Sequence, residues 1–139
     1  MQTTINIIAN SGDLSFNESR EIEAGSRVNI SEAIGSTATD LVIDATIVND
    51  TVSRLKFIAI QAQVAGMTIK LADGTGTKVH SSAEYSLAAG EVFMWPQTSG
   101  AAAPTWVGEG TIEQILVTND SDPAAPGTLV LSALYDPTA

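Results

Sequence analysis

Short runs in which apolar and polar residues alternate recur along the chain, and they restrict its fold more than any other feature. In Leu14–Ala24, for example, apolar Leu14, Phe16 and Ile22 alternate with Ser, Asn and Glu. A period of two places the apolar residues on one face of a β-strand. The β-branched residues Val, Ile and Thr, which favour strands, contribute 10, 13 and 15 of the 139 residues. The sequence therefore predicts an all-β protein.

Turn signals rich in Gly, Asn, Asp and Pro divide the chain into eight to ten strands at roughly regular spacing. This pattern is typical of a β-sandwich or barrel. The strand count favours a jelly roll with Greek-key connections, and an immunoglobulin-like sandwich is the alternative. We expect residues 1–139 to form a single domain, with 1–12 as an N-terminal arm or edge strand that carries Ile5 and Ile7.

The run Arg54–Val64 is the strongest candidate for a central strand, because its middle is apolar on both faces. We expect Phe57, Ile58 and Ile60 to lie in the interior. Other segments are less regular, and for these the sequence predicts a loop at Ser31–Thr39, a helical turn within Ala83–Ala89 and a strand at Trp106–Gly110.

The charge balance argues against two classes of partner. Six basic and sixteen acidic residues give a net charge of -10. Lys78 is the last of the six bases, and seven acids follow it without any Lys or Arg. Binding to nucleic acid or to an anionic membrane requires a basic patch. We therefore expect neither partner. No run approaches the 18 apolar residues of a membrane-spanning helix, and the N-terminus lacks the pattern of a secretion signal.

The chain contains few residues of the types that carry out catalysis or bind metals. The chain has no Cys and one His, which excludes thiolate sites and multi-His metal sites. His80 precedes Ser81 and Ser82, but neighbours in a strand point to opposite faces, so we interpret His80 as structural. We therefore expect no enzymatic activity, no cofactor and no bound metal.

Three acidic segments could suggest a ligand site. Residues 73–77, with the sequence DGTGT, lack the Lys position and the helix of a phosphate loop and the further acids of a calcium loop. Asp120 and Asp122 flank Ser121 in a composition that is also typical of an Asx-turn. Glu21 and Glu23 lie on one face of one strand, whereas a glycosidase needs carboxylates that converge across a cleft. We interpret the first two segments as turns and the glutamates as a solvated face.

Two tryptophans bracket the segment 96–104, whose sequence is PQTSGAAAP. Trp95 precedes Pro96, and Trp106 follows Pro104. Three alternatives stay open for this pair: a plug that closes one end of the sandwich, a protein contact, or a platform for a sugar ring. As a contact surface we consider Trp95, Pro96 and Trp106, together with Ile5 and Ile7 of the N-terminal segment, where an added strand could pair with a neighbour's sheet edge.

Several segments together resemble those of a known group of proteins. They are 55–60 (LKFIAI), a Gly-rich hairpin, 87–91 (LAAGE) leading into Trp95 and Pro96, 115–119 (ILVTN), and a terminal Leu-Tyr-Asp-Pro at 134–137. Over about residues 40–139 the chain resembles the capsid decoration or cement proteins of tailed bacteriophages, which have jelly-roll folds.

The resemblance implies a non-enzymatic structural protein on the outside of a virion, made in the host cytoplasm. It implies that the chain acts as a homotrimer and bridges subunits of the major capsid protein. The alternative function is a carbohydrate-binding or fibre-type adhesin module of a virion that uses Trp95 and Trp106. Co-purification with particles would distinguish the first function from the second, which predicts retention on a glycan column.

Overall fold

A computed structural model describes residues 2–11, 14–95 and 102–137, with side-chain environments for 24–95 and 102–137. None of these residues is helical, and the strands account for most of them. The strands are β1 (Gln2–Ser11), β2 (Leu14–Glu23), β3 (Ser26–Ile34), β4 (Leu41–Ile47), β5 (Leu55–Gln63), β6 (Met67–Ala72), β7 (Glu84–Leu87), β8 (Val92–Trp95), β9 (Ile112–Asn119) and β10 (Gly127–Tyr135).

Strands β3 to β10 form two four-stranded antiparallel sheets that pack as a sandwich. The strand orders are β3-β10-β5-β8 and β4-β9-β6-β7. In the sandwich, β3 therefore pairs with β10, β4 with β9, β5 with β8, and β6 with β7. This is the topology of a long antiparallel ribbon rolled over itself, which is a jelly roll. The fold class predicted from the sequence is confirmed, and the immunoglobulin-like alternative is not the one observed.

The first two strands form a separate hairpin. β1 pairs with β2 in antiparallel register from Gln2 opposite Glu23 to Ser11 opposite Leu14. In the described residues, neither strand is hydrogen-bonded to a strand of the sandwich. Within the segment 1–12, the described residues Gln2–Ser11 are therefore one strand of this hairpin.

The main core lies between the two sheets and is built from alternate residues of each strand. Ile58 and Ile60 on β5 have no solvent exposure, and neither do Ile69 on β6, Ile115 on β9 and Leu131 on β10. The predicted interior positions Ile58 and Ile60 are thus confirmed. The alternation of the sequence is preserved because one residue in two faces the opposite sheet.

Phe57 is buried as predicted, but on the other side of its sheet. It forms a second cluster with Ala24 and Leu134, against which Ala59 and Met94 pack. The register places Leu134 opposite Phe57 and Ala59 opposite Met94. The two-sided apolar pattern of β5 therefore reflects two different environments, a fully enclosed core on one side and a partly covered outer face on the other.

Three local predictions were wrong. β3 continues to Ile34, because its residues pair with β10 as far as Gly127, whereas the sequence suggested a loop from Ser31. Glu84–Leu87 is strand β7 and not a helical turn, because it pairs with β6. Residues 105–108 form a turn and not a strand. In the first two cases the conformation is decided by a pairing strand that the local sequence does not reveal.

Candidate contact surface

The outer face of the sheet β3-β10-β5-β8 is unusually poor in charge for a chain with a net charge of -10, and we call it the neutral face. Its central rows follow from the strand register: one runs Asn29, Ser132, Ala59, Met94, and the next runs Ser31, Val130, Gln61, Val92. The charged residues of these four strands are Arg27 and Glu32 on β3 and Lys56 on β5. Glu32 lies opposite the buried Leu129, at an inward position, and Lys56 lies at the bulge beside Phe57, so no acid occupies an outward position of these strands.

The neutral face also exposes apolar surface. Val92 is 46% exposed, and Ala59, Met94 and Val130 are half-buried. A shallow depression of about 130 Å³ lies between β8, β5 and β10, and its lining is mostly apolar: Ala59, Ile60, Gln61, Val92, Val130 and Ser132. Polar contact on this face is local, since Ser132 Oγ donates to Asn29 Oδ1 at 2.9 Å. Such a surface suits protein contact better than the chemistry of a polar substrate.

The outer face of the other sheet is different. Charged residues project from three of its strands, with Asp44 on β4, Lys70 on β6 and Glu84 on β7. Lys70 Nζ lies 3.1 Å from Asp40 Oδ1, and Lys78 Nζ lies 3.9 Å from Glu84 Oε2. The two faces of the sandwich therefore differ in character, one being solvated and charged and the other neutral and partly apolar.

Trp106 does not contribute its ring to any surface of the described structure. It has no solvent exposure, and its Nε1–H donates to Tyr85 Oη at 2.6 Å. Tyr85 in turn stacks on Phe93, with ring centroids 4.0 Å apart. Burial raises the pKa of Tyr85, while the bond from Trp106 acts in the opposite direction. The ring therefore plugs the sandwich, and the prediction of Trp106 as a contact residue is corrected.

Trp95 is half-buried at the end of β8, where it pairs with Ile58 and packs against the main core. Its Nε1 is buried without a hydrogen-bond partner in the part of the chain that the structure describes. Because Trp106 is enclosed and Trp95 faces the core, the two rings do not form the sugar platform considered from the sequence. Pro96 lies outside the described residues.

Asn49 is the polar residue that sequence reasoning missed. It is fully buried, and its Nδ2 donates to the carbonyl oxygens of Trp106 at 3.0 Å and Gly110 at 3.2 Å. Its Oδ1 accepts from the amide of Gly108 at 2.9 Å. These bonds tie the turn after β8 to the end of β4, so Asn49 holds Trp106 in place. In the sequence it appears in an ordinary turn signal, Asn-Asp-Thr, with no sign of burial.

Ile5 and Ile7 lie in β1, opposite Arg20 and Glu18 of β2. Both predicted contact residues therefore belong to the hairpin, whereas Trp95 and Trp106 belong to the sandwich. The neutral face, which contains none of the predicted residues, is the third candidate.

His80 contacts Ser82 within a turn, because residues 79–82 form no strand. The Ser82 amide donates to His80 Nδ1 at 3.0 Å, Ser82 Oγ lies 2.8 Å from the same nitrogen, and Ser82 Oγ lies 2.6 Å from Thr105 Oγ1. A catalytic pair needs a group that orients the far ring nitrogen. With Nδ1 accepting from a backbone amide, the arrangement is that of a braced turn.

The acidic segments also brace turns. Asp73 Oδ1 accepts from Thr75 N, Thr75 Oγ1 and Thr77 N at 2.8, 2.6 and 3.2 Å. The hydrogen bonds, led by the Thr75 hydroxyl, lower the pKa of Asp73. Asn119 Oδ1 accepts from Ser121 N and Oγ at 3.0 and 2.6 Å, in the form of an Asx-turn. Among the residues with described side chains, no three His, Asp or Glu converge as a metal site would require.

Comparison of the chain with protein-family models, with curated proteins and with solved structures gave no match. Within the described residues, there is no helix with the length and hydrophobicity needed to cross a membrane.

Proposed function

We propose that this chain is a non-enzymatic structural protein of a virion, which decorates and stabilises the outside of a bacteriophage capsid by bridging major capsid subunits. The observation that carries the proposal is the asymmetry of the sandwich. One outer face carries Asp44, Lys70 and Glu84, and the other exposes Val92, Met94 and Val130 and has no acid at the outward positions of its strands. A protein attached to a larger assembly needs one solvated face and one face for contact.

The resemblance of residues 40–139 to decoration proteins supplies the identity of the assembly and the expectation of a homotrimer. The jelly-roll topology agrees with the fold that this resemblance implies. The polar clusters around His80, Asp73 and Asn119 are engaged in bracing their own turns. This supports a scaffold in preference to an enzyme.

The experiment is a stoichiometry measurement on particles. Virions from the source culture are banded in caesium chloride, and peptides of this chain are quantified against those of the major capsid protein by mass spectrometry. We expect a fixed molar ratio that survives repeated banding. Absence of the chain from banded particles would overturn the proposal.

A second experiment tests the alternative function as an adhesin. The purified chain is passed over columns of immobilised glycans, with bovine serum albumin as the control protein. We expect the chain to elute with the control. Specific retention that free sugar reverses would favour an adhesin module and count against a decoration protein.

A further inference from the structure

Ala24 and Gly25, which we call the joint, connect the β1–β2 hairpin to the sandwich. They follow β2, which ends at Glu23, and precede β3, which begins at Ser26. In the described part of the chain, neither strand of the hairpin is hydrogen-bonded to a strand of the sandwich. The direction in which the hairpin leaves the sandwich therefore depends strongly on what holds the joint.

The sandwich holds the chain on both sides of Gly25. On one side, Ala24 is 4% exposed and packs with Phe57 and Leu134. On the other side, Ser26 begins the strand that pairs with the end of β10. Gly25 is not among the glycines with positive φ in the described structure. A left-handed backbone is therefore not the reason for a glycine at this position.

The reason for Gly25 is space. After β10 the chain continues as Asp136 and Pro137, which lie against the joint and which we call the strap. A Cβ atom at position 25 would lie 2.9 Å from Pro137 Cδ and 3.4 Å from Asp136 Oδ1. Carbon atoms in favourable contact lie about 3.5–4.0 Å apart. A side chain at position 25 would therefore displace the strap.

Arg54 fastens the strap through its main chain and its side chain. The amide of Asp136 donates to the main-chain oxygen of Arg54 at 2.8 Å, and Arg54 Nη1 donates to the carbonyl oxygen of Pro137. Arg54 is in turn oriented by Asp50, whose Oδ1 lies 3.4 Å from Arg54 Nε. The side chain of Arg54 is only 18% exposed, and a hydrogen bond from a charged donor is stronger than a neutral one.

We propose that the strap, fastened by Arg54, locks the joint and so fixes the direction in which the β1–β2 hairpin leaves the sandwich. The hairpin is then a preoriented arm and not a freely swinging one. A preoriented arm loses less conformational entropy when it binds a partner, so the lock favours binding through the hairpin. This inference goes beyond the proposed function, because it concerns the conformation of the isolated chain.

Double electron–electron resonance measures the direction of the hairpin. Because the chain has no Cys, nitroxide labels can be attached at Ser11→Cys, at the end of β1, and at Val42→Cys, on β4. We expect a narrow distance distribution between the labels in the otherwise unchanged chain and a wider one after Arg54→Gln. The matched control Lys70→Gln also removes a partly exposed ion pair, that of Lys70 with Asp40, but on the other sheet. It should keep the narrow distribution.

The unchanged chain and Arg54→Gln must differ for the proposal to stand. Two narrow distributions would show that the joint is rigid without the strap, and two wide ones would show that the strap does not fix it. Either result would overturn the proposal. Circular dichroism checks that every variant keeps the β-sheet spectrum.

Amide hydrogen exchange tests the fastening itself. Arg54→Gln should raise the exchange rate of the Asp136 amide roughly tenfold, because the strap opens more often without the hydrogen bond from the guanidinium. Lys70→Gln should leave this rate unchanged. An Asp136 rate that does not respond to Arg54→Gln would show that the side chain of Arg54 does not hold the strap.

A rescue experiment tests the contact between the joint and the strap without changing Arg54. Gly25→Ala should speed exchange of the Asp136 amide, because the added methyl group meets Pro137 Cδ. Pro137→Ala removes that ring atom and keeps the carbonyl oxygen that accepts from Arg54. The double variant Gly25→Ala/Pro137→Ala should therefore exchange more slowly than Gly25→Ala, and equal rates would contradict the contact. All these measurements use the purified chain, so their failure is distinguishable from absence of the chain from virions.

Discussion

The side-chain amide of Asn49 donates to the main-chain carbonyl oxygen of Trp106 at 3.0 Å, which joins two positions 57 residues apart. Asn49 also holds Gly108 and Gly110 of the same turn. The turn carries Trp106 into the end of the sandwich, where its indole N–H meets the Tyr85 hydroxyl. One buried side-chain amide therefore fixes the turn that carries Trp106, and the Trp106 ring fills part of the core.

Replacing Asn49 tests how strongly its side-chain amide stabilises the turn that carries Trp106. Asn49→Ala should lower the free energy of unfolding by roughly 2–4 kcal/mol, because it leaves two carbonyls and one amide of a buried or partly buried turn without their partner. Urea unfolding gives the value. Asn29→Ala, which removes one exposed hydrogen bond to Ser132, is the control and should stay within about 0.5 kcal/mol. Similar losses in both variants would contradict the assigned role.

The Trp106–Tyr85 hydrogen bond can be isolated by a double-mutant cycle. Tyr85→Phe should cost roughly 1–2 kcal/mol, because the buried indole N–H loses its acceptor. Trp106→Phe should cost more, since it also leaves a cavity. If the bond is formed in solution, the double variant loses less than the sum of the single variants, by about 1 kcal/mol. Strict additivity would show that the two side chains are not coupled.

The pKa of Tyr85 gives a pH dependence with a defined sign. Burial raises the pKa of its phenol above 10.0 in the folded state. The neutral phenol therefore contributes its stabilisation fully below pH 10 and loses it as the pH rises through the folded-state pKa. Unfolding measured between pH 9 and 11.5 should show a steeper loss in the wild type than in Tyr85→Phe. Parallel curves would indicate that Tyr85 titrates as an exposed phenol does.

The alternation of the sequence predicted the fold class because burial on one side of a strand acts on every second residue. It could not distinguish the two sides of β5. Ile58 faces the enclosed core and Phe57 the outer cluster, and both positions require apolar residues. Glu84–Leu87 was misread for a related reason, since its strand conformation depends on pairing with Met67–Lys70 and not on its own composition.

The candidate contact surface could be predicted from the sequence less well than the fold class. Trp95 and Trp106 drew attention as aromatic residues that flank a segment of small residues, yet Trp106 is enclosed because Tyr85 and Asn49 hydrogen-bond to it. The neutral face consists of Ala, Val, Met and Gln from strands distant in sequence. Its lack of charge becomes visible when the register brings rows such as Val130, Gln61 and Val92 together.

Val64 adopts a backbone conformation that valine disfavours, with φ of 71° at the turn between β5 and β6. Left-handed backbone costs a β-branched residue roughly 1–2 kcal/mol, and Val64 is 76% exposed, so its side chain recovers little by packing. Val64→Asn should therefore raise the free energy of unfolding by about 1 kcal/mol, since Asn tolerates this conformation.

Two matched variants separate relief of backbone strain from a general effect of polarity at an exposed valine. Val52 is 79% exposed and is not among the non-glycine residues with positive φ in the described structure. Val52→Asn should change stability by less than about 0.5 kcal/mol. Val64→Ala keeps the Cβ atom that causes the strain, so it should gain less than Val64→Asn. Thermal and urea unfolding of the three variants measure the differences, and equal gains in Val52→Asn and Val64→Asn would show that the backbone at Val64 is not strained.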